Sequence, residues 1–193
     1  MSGYNYSLAY SFQYDMCLKE LNIKNWAANP TTMYYAFYDC QSLKEIDLTG
    51  WGWNNMTGTG AAYMFNGCNS LREIKGIAHL GDAGNITSFA YMFAACWSLR
   101  SIPSISSWDV AKATTCTTMF QDCRSLQSLA IDGWTLTKCT TIANMFRYCY
   151  CMKSLELTNW SLPAISANPD YIFTDMYSLI QCSGLPLKHN HRY

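Results

Sequence analysis

The chain has 193 residues, half of them hydrophobic, with 13 Lys and Arg against 13 Asp and Glu. Zero formal charge argues against a nucleic-acid partner or an anionic membrane surface, since both need a basic excess. Charged residues make up only 13%, well under the roughly 25% of an ordinary domain, so the surface must be Ser, Thr, Asn and Tyr, which suits contact.

Taken in chain order, the opening MSGYNYSLAYSFQYD has no basic n-region followed by an apolar stretch, so it is not a secretory signal. The chain is then either never exported or separated from its signal. No later apolar run reaches the ~18 residues of a membrane helix. A first unit centres on Phe12 and runs through LKELNI to Trp26. A second centres on Phe37 and runs through LKEIDL to Trp51, and a third holds Phe65 and LREIKG. The fourth, on Phe93, contains LRSIPSI and Trp108; its Pro103 removes a backbone donor from a ladder. The fifth (Phe120, LQSLAI, Trp134) and sixth (Phe146, MKSLEL, Trp160) restore the pattern. The seventh, on Phe173, decays: Met176 stands at a Cys position, Cys182 at a core Leu, and no Trp follows. Successive Phe anchors lie 25, 28, 28, 27, 26 and 27 residues apart, a period that indicates a solenoid rather than one globular core. Residues 1–184 therefore read as a single solenoid of seven units, and 185–193 as a tail.

Within a unit, the Leu-x-x-Leu-x-Leu run is short, alternating and rich in branched side chains, which predicts a strand of a few residues. The segment around YMFNGC is too short for a full helix and predicts one helical or 3₁₀ turn. One strand plus one turn cannot bury its own apolar face. Stacked copies can, with strands ~4.8 Å apart in a parallel sheet. The predicted architecture is an α/β-type repeat solenoid, coiled right-handed, with a parallel sheet on one face and short turns on the other. Neither terminal unit resembles a polar cap, and exposed sheet edges invite pairing. End-to-end self-association, or a neighbouring chain over the ends, is expected.

NITSFAYMFAACWSLRSI from Asn85 and TTMYYAFYDCQSLKEIDLTGW from Thr31 carry a recurrence of Phe, Cys, Ser-Leu and Trp that resembles the BspA-like leucine-rich repeats. The resemblance covers essentially the whole chain. It implies a leucine-rich-repeat fold, and a role in surface proteins of bacteria and parasitic protozoa, some of them adhesins that bind host matrix proteins. Related repeats also occur in phage and large-virus proteins. Asp15 at the aligned Cys of the first unit, with Cys17 where Ser normally sits, departs from the pattern.

Ten cysteines suggest disulfides or zinc, but the spacing argues for buried free thiols. Cys40, Cys68, Cys96, Cys123 and Cys149 recur beside the same Phe and form a column. Cys116 and Cys139 fall in slots that other units fill with Leu8, Met33, Phe89, Ile142 or Ile86, and Cys is a good small hydrophobe. Cys149 and Cys151 have C-x-C spacing with no His nearby, so no metal or other cofactor is expected.

Catalytic groups are scarce. His79 could meet Asp82 but reads as a polar turn residue, and His189 and His191 lie in the tail. TGTGAA from Thr57 does not follow a strand and open a helix, so it is no phosphate loop. Threonines at 57, 87, 117 and 140 drift in register, against an ice-binding face. Trp and Phe columns read as core spines. The tyrosines beside them (Tyr34, Tyr35, Tyr63, Tyr91, Tyr148, Tyr150) read as half exposed, offering amphipathic contact area. Sequons at Asn5, Asn55, Asn85 and Asn159 matter only in a glycosylating pathway.

The x positions of the strand runs face the open side of the sheet. They place Lys19, Glu20, Lys44, Glu45, Asp47, Arg72, Glu73, Lys75, Arg100, Ser101, Gln127, Ser128, Lys153, Ser154 and Glu156 on one face, where a nearly uncharged protein keeps its charge. Two readings stand: a solvated face kept charged for solubility, or a partner-binding ribbon, charged in its N-terminal half and neutral in its C-terminal half. The expected function is a non-catalytic recognition or adhesion module for a protein or glycan partner, at the cell surface if the chain is part of a larger exported protein. The alternative is a structural or receptor-facing virion component, or a cytoplasmic assembly. A hydrolase grafted on the solenoid is a third reading, which the scarcity of His and Asp opposes.

Overall fold

The computed structural model describes residues 6–24, 26, 28–80, 85–103, 105–157, 160 and 171–183, with 181–183 as backbone only. The expectations for Asn5, Asp82, Asn159, His189, His191 and the tail fall outside these residues, as does that for the Cys182 side chain.

The Leu-x-x-Leu-x-Leu runs form three-residue strands: β1 (Glu20–Asn22), β2 (Glu45–Asp47), β3 (Glu73–Lys75), β4 (Ser128–Ala130), β5 (Ser154–Glu156) and β6 (Gln181–Ser183). In β2 to β5 the middle residue (Ile46, Ile74, Leu129, Leu155) is buried and its neighbours point outward. Neighbouring strands pair parallel and in strict register, Leu21 with Ile46 with Ile74, and Leu129 with Leu155 with Cys182. A one-residue slip would turn every apolar centre out to solvent, so burial fixes the register. The sheet is broken in two, β1-β2-β3 and β4-β5-β6. Between them lies Ser101-Ile102-Pro103, which forms no strand; Pro103 has no N–H to offer a ladder.

The fold is a repeat solenoid. Phe12, Phe37, Phe65, Phe93, Phe120, Phe146 and Phe173 stack as one row, with ring centroids 5.2–6.0 Å apart and planes within 8° of parallel. The five inner rings are fully buried, and those of Phe12 and Phe173 partly. A coil buries its Phe only between two others, which makes neighbour contacts the unit of stability.

Side-chain donors brace each coil to the one before. Trp51 Nε1 donates to the Ile23 carbonyl (2.9 Å), Trp108 to Ile77 (3.1 Å), Trp134 to Ile105 (2.7 Å) and Trp160 to Ile131 (2.8 Å). The cysteine column does the same: the thiols of Cys40, Cys68, Cys96, Cys123 and Cys149 donate to the carbonyls of Phe12, Phe37, Phe65, Phe93 and Phe120 at 2.9–3.2 Å. Thr31, Thr114 and Thr140 hydroxyls donate to Tyr6, Thr87 and Thr114 carbonyls. Small, buried and able to donate weakly, Cys fits its slot better than Ala or Leu would. All nine cysteines outside position 182 are free, and only Cys17 and Cys151 are exposed. Cys116 and Cys139 meet from adjacent coils: the Cys116 thiol donates to Cys139 sulfur, holding the Cys139 thiol below its ordinary range.

Two expectations are corrected. The YMFNGC segments are not helical or 3₁₀ turns; among the described residues there is no helix. Each segment is a run of overlapping tight turns, such as Ala36 N to Met33 O, Tyr38 N to Tyr35 O and Cys40 N to Phe37 O. Two residues per coil, four apart, have φ of 56–79°: Tyr10 and Tyr14, Tyr35 and Asp39, Tyr63 and Gly67, Tyr91 and Ala95, Thr118 and Asp122, Asn144 and Tyr148, Tyr171 and Asp175. A positive φ at the third position of a turn reverses the backbone twist and prevents a helix from propagating. Intervening N–H groups are thereby aimed along the solenoid axis: Met33, Tyr35, Phe37 and Asp39 donate to Gly60, Ala62, Met64 and Asn66. The second correction is Trp26, read as core: it stacks on Trp51 at 6.4 Å but stays 58% exposed, because no coil precedes it among the described residues.

Candidate partner-binding face

Outward residues of the strand runs come to lie in columns. Glu20, Glu45 and Glu73 are direct neighbours in the ladder, as are Ser128, Ser154 and Gln181 in the second sheet. The residue before each strand forms a second column, whose backbone runs Lys44 N to Lys19 O (3.0 Å) and Arg72 N to Lys44 O (2.8 Å). It resumes with Gln127 N to Arg100 O (3.2 Å) and Lys153 N to Gln127 O (2.9 Å). Of the fifteen residues assigned to this face, Asp47 and Ser154 are half-buried and the rest exposed.

Across β1–β3 the face forms a shallow trough of about 290 Å³, lined by Glu20, Glu45, Glu73, Asp47, Lys24 and Lys75 among others. Three glutamates at strand spacing repel one another, and the flanking cations offset this only in part. Lys75 Nζ lies 3.4 Å from Glu73 Oε2, with both side chains about half exposed; such a pair contributes little to stability. Asp47 accepts from the Thr49 side chain and from its backbone N–H (2.9 Å), which hold its carboxyl below the usual carboxylate range; Lys24 and Lys75 add to this. Sequence reading missed Lys24. It lies two residues past Asn22, where the in–out alternation of β1 carries on, and that alternation is the signal that would have found it.

The second half of the face has another character. Its strand positions are largely uncharged, but the rim just past the cysteine column is aromatic and cationic. Arg124 stacks over the exposed Trp97 ring (4.5 Å) and chelates Asp122 at 2.8 and 3.3 Å, and Tyr150 stacks on Tyr177 at 5.7 Å. Ile180 stands in the column of Lys19 and Lys44 and is 87% exposed. On the turn wall, Tyr10, Tyr35, Tyr63 and Tyr91 stack in series at 5.5, 4.4 and 4.6 Å. Burial among these rings pushes the Tyr35 hydroxyl well above its ordinary range. His79 is exposed on a turn, and the buried Leu80 beside it takes the position of Trp: Leu80 N donates to Ile77 O as Trp51 N does to Leu48 O and Trp108 N to Ile105 O.

Parallel three-residue strands, one stacked Phe row and an exposed face of x positions define a repeat solenoid of leucine-rich-repeat type. The chain belongs to the family described as "Mycoplasma protein of unknown function, DUF285", which matches residues 6–76 and 62–181. No curated protein sequence matches it. Among solved structures it is similar to a leucine-rich-repeat protein of Treponema pallidum (24% identity, 78% of this chain, 60% of that one, TM-score 0.45). It is also similar to a leucine-rich-repeat protein of Bacteroides ovatus (19%, 78% and 39%, TM-score 0.42). A third likeness is to a leucine-rich cell-surface protein of Faecalibacterium prausnitzii (13%, 93% and 69%, TM-score 0.35). The chain thus spans 60% and 39% of the length of the first two proteins.

Proposed function

We propose that this chain is a non-catalytic recognition module whose β1–β3 face binds a protein or glycan partner at the cell surface. The observation that carries the reading is the charge of that face. Eight charged side chains stand on its columns (Lys19, Lys44 and Arg72 beside Glu20, Glu45 and Glu73, with Asp47 and Lys75 next), a basic column against an acidic one that the strand register holds rigid. Such rows give a partner a fixed pattern of charge to match, which favours specificity and rapid encounter more than raw affinity. The neutral half, rimmed by Trp97, Arg124, Tyr150 and Tyr177, supplies the aromatic and Arg side chains that dominate binding energy at interfaces. The same reading takes residues 1–184 as one right-handed solenoid of seven coils and 185–193 as a tail, supported by the unbroken Phe stack. An assembly role, as a structural or receptor-facing virion component, is favoured by one observation: the end coils expose Tyr10, Tyr14 and Trp26 at one end and Tyr171 and Tyr177 at the other.

Panels of extracellular-matrix proteins and glycans on sensor surfaces test the reading. Binding is expected that weakens at least tenfold in the triple variant Glu20→Lys, Glu45→Lys, Glu73→Lys and declines with added salt. Binding indifferent to both changes, or none on either panel, would remove the sheet face from consideration.

A further inference from the structure

We infer that the two ends of the solenoid are complementary docking surfaces for each other, so that copies of this chain associate head to tail. The turn wall is polar along the axis. In coil after coil its N–H groups donate toward the C-terminal neighbour, from Tyr10 N to Tyr34 O (3.0 Å) through Tyr91 N to Thr117 O (3.0 Å) to Tyr148 N to Thr174 O (3.1 Å). The first coil is left with carbonyls at Ala9, Ser11 and Gln13 that have no hydrogen-bond partner among the described residues. The last is left with N–H groups at Tyr171, Phe173 and Asp175 in the same state. Aligned peptide dipoles leave partial negative charge on the first surface and partial positive charge on the second.

The two surfaces match in register as well as in sign. Phe146 N donates to Ile172 O, the carbonyl just before Phe173, and Tyr148 N to Thr174 O, just before Asp175. By the same step Phe173 N of one copy meets Ser11 O of the next, and Asp175 N meets Gln13 O. Phe173 would then continue the Phe row onto Phe12, and Tyr171 the tyrosine column onto Tyr10. Phe12 and Phe173 are the partly buried ends of a row whose inner rings are fully buried, and Tyr10 and Tyr171 are 52% and 56% exposed. On the sheet, β6 would pair with β1 and set Gln181 beside Glu20, so the interface adds no fourth carboxylate to the glutamate stack. The contact is heterologous, so it generates an open series rather than a closed dimer.

Sedimentation velocity of the intact chain across a concentration series tests this. The expected result is a weight-average mass that climbs steadily with concentration. Tyr10→Lys caps the orphan carbonyls of its own copy and repels the partner's N–H groups; Tyr171→Asp does the converse at the other end. Each variant alone should sediment as a monomer with unchanged far-UV circular dichroism. An equimolar mixture retains one good surface of each kind, so it should form a heterodimer and nothing larger. A wild-type chain that stays monomeric throughout, association that survives either variant, or a mixture that fails to dimerise would overturn the proposal.

Discussion

The β1–β3 sheet and the β4–β6 sheet have the same backbone, the same register and the same core columns, yet opposite surfaces. In the first, glutamate faces glutamate across two strand pairs and the first left-handed turn position of each coil is tyrosine. In the second, Ser128 faces Ser154, and the left-handed position passes through Thr118 and Asn144 before Tyr171. The fold therefore does not depend on what its outer face carries. Buried columns of Phe, Cys and Trp hold the geometry and leave the x positions free to vary, as expected where each coil is stabilised mainly by its neighbours. Pro103 marks the boundary between the two surfaces and interrupts the ladder without interrupting the Phe row.

The sharpest way to break this comparison is to cut the row that joins the halves. Phe93→Ala, in a fully buried ring stacked on both sides, should cost about 3–5 kcal/mol. If the halves form one cooperative unit, urea unfolding followed by Trp fluorescence shows one transition at a lower midpoint. Two transitions would mean that the sheets fold separately.

A second test concerns what the halves share. Burial pushes the Cys96 thiol well above its ordinary range, and those of Cys40 and Cys149 up to about 12. An unfolded thiol ionises from about pH 9, while the buried one stays protonated. Unfolding then releases a proton, and stability falls as pH rises above that value, by about 1.4 kcal/mol per pH unit for each such thiol. Cys96→Ala should flatten the alkaline slope of the urea midpoint by one thiol's share. An unchanged slope would remove the column from the alkaline response.

The left-handed position separates the halves directly. Tyr63 has rings stacked on both faces, so Tyr63→Gly relieves backbone strain but loses more in stacking and burial, a net loss of about 1 kcal/mol. Asn144 lacks a stacking ring, and its side-chain oxygen is buried without a partner. Asn144→Gly should therefore raise stability by about 1 kcal/mol. Thermal denaturation of both variants checks the sign, and equal signs would refute this account of the tyrosine column.

The smallest effect is expected on the outer face. Glu45→Gln removes the middle charge of the stack and should raise Tm by about 1 °C at low salt, with no change at high salt. The matching change in the neutral sheet, Ser154→Gln, should leave Tm unmoved in both conditions.

Much of this molecule was legible before any coordinate. The Phe period identified the row that is buried, the alternation in LKEIDL and LQSLAI identified inward and outward residues, and Pro103 marked the run that lacks a ladder donor. What was misread has local causes. YMFNGC carries no glycine or asparagine at its first left-handed position in most copies, so nothing in its composition announces a positive φ at Tyr35 or Tyr63; stacking against the next coil's tyrosine compensates for the strain. Trp26 has the same sequence context as Trp51, and only its place at the end of the stack leaves it exposed. Lys24 joins the trough because the strand's alternation continues past the residues assigned to the ladder.

Sequence alone determined the repeat, its period, the buried columns and the face that carries charge, because each follows from side-chain polarity recurring at a fixed spacing. Tertiary structure decided the conformation of the turns, the division of the sheet and the direction in which backbone donors point along the axis. Those depend on contacts between coils some 27 residues apart, where a neighbour's carbonyl or ring outweighs the local preference of the residue it meets.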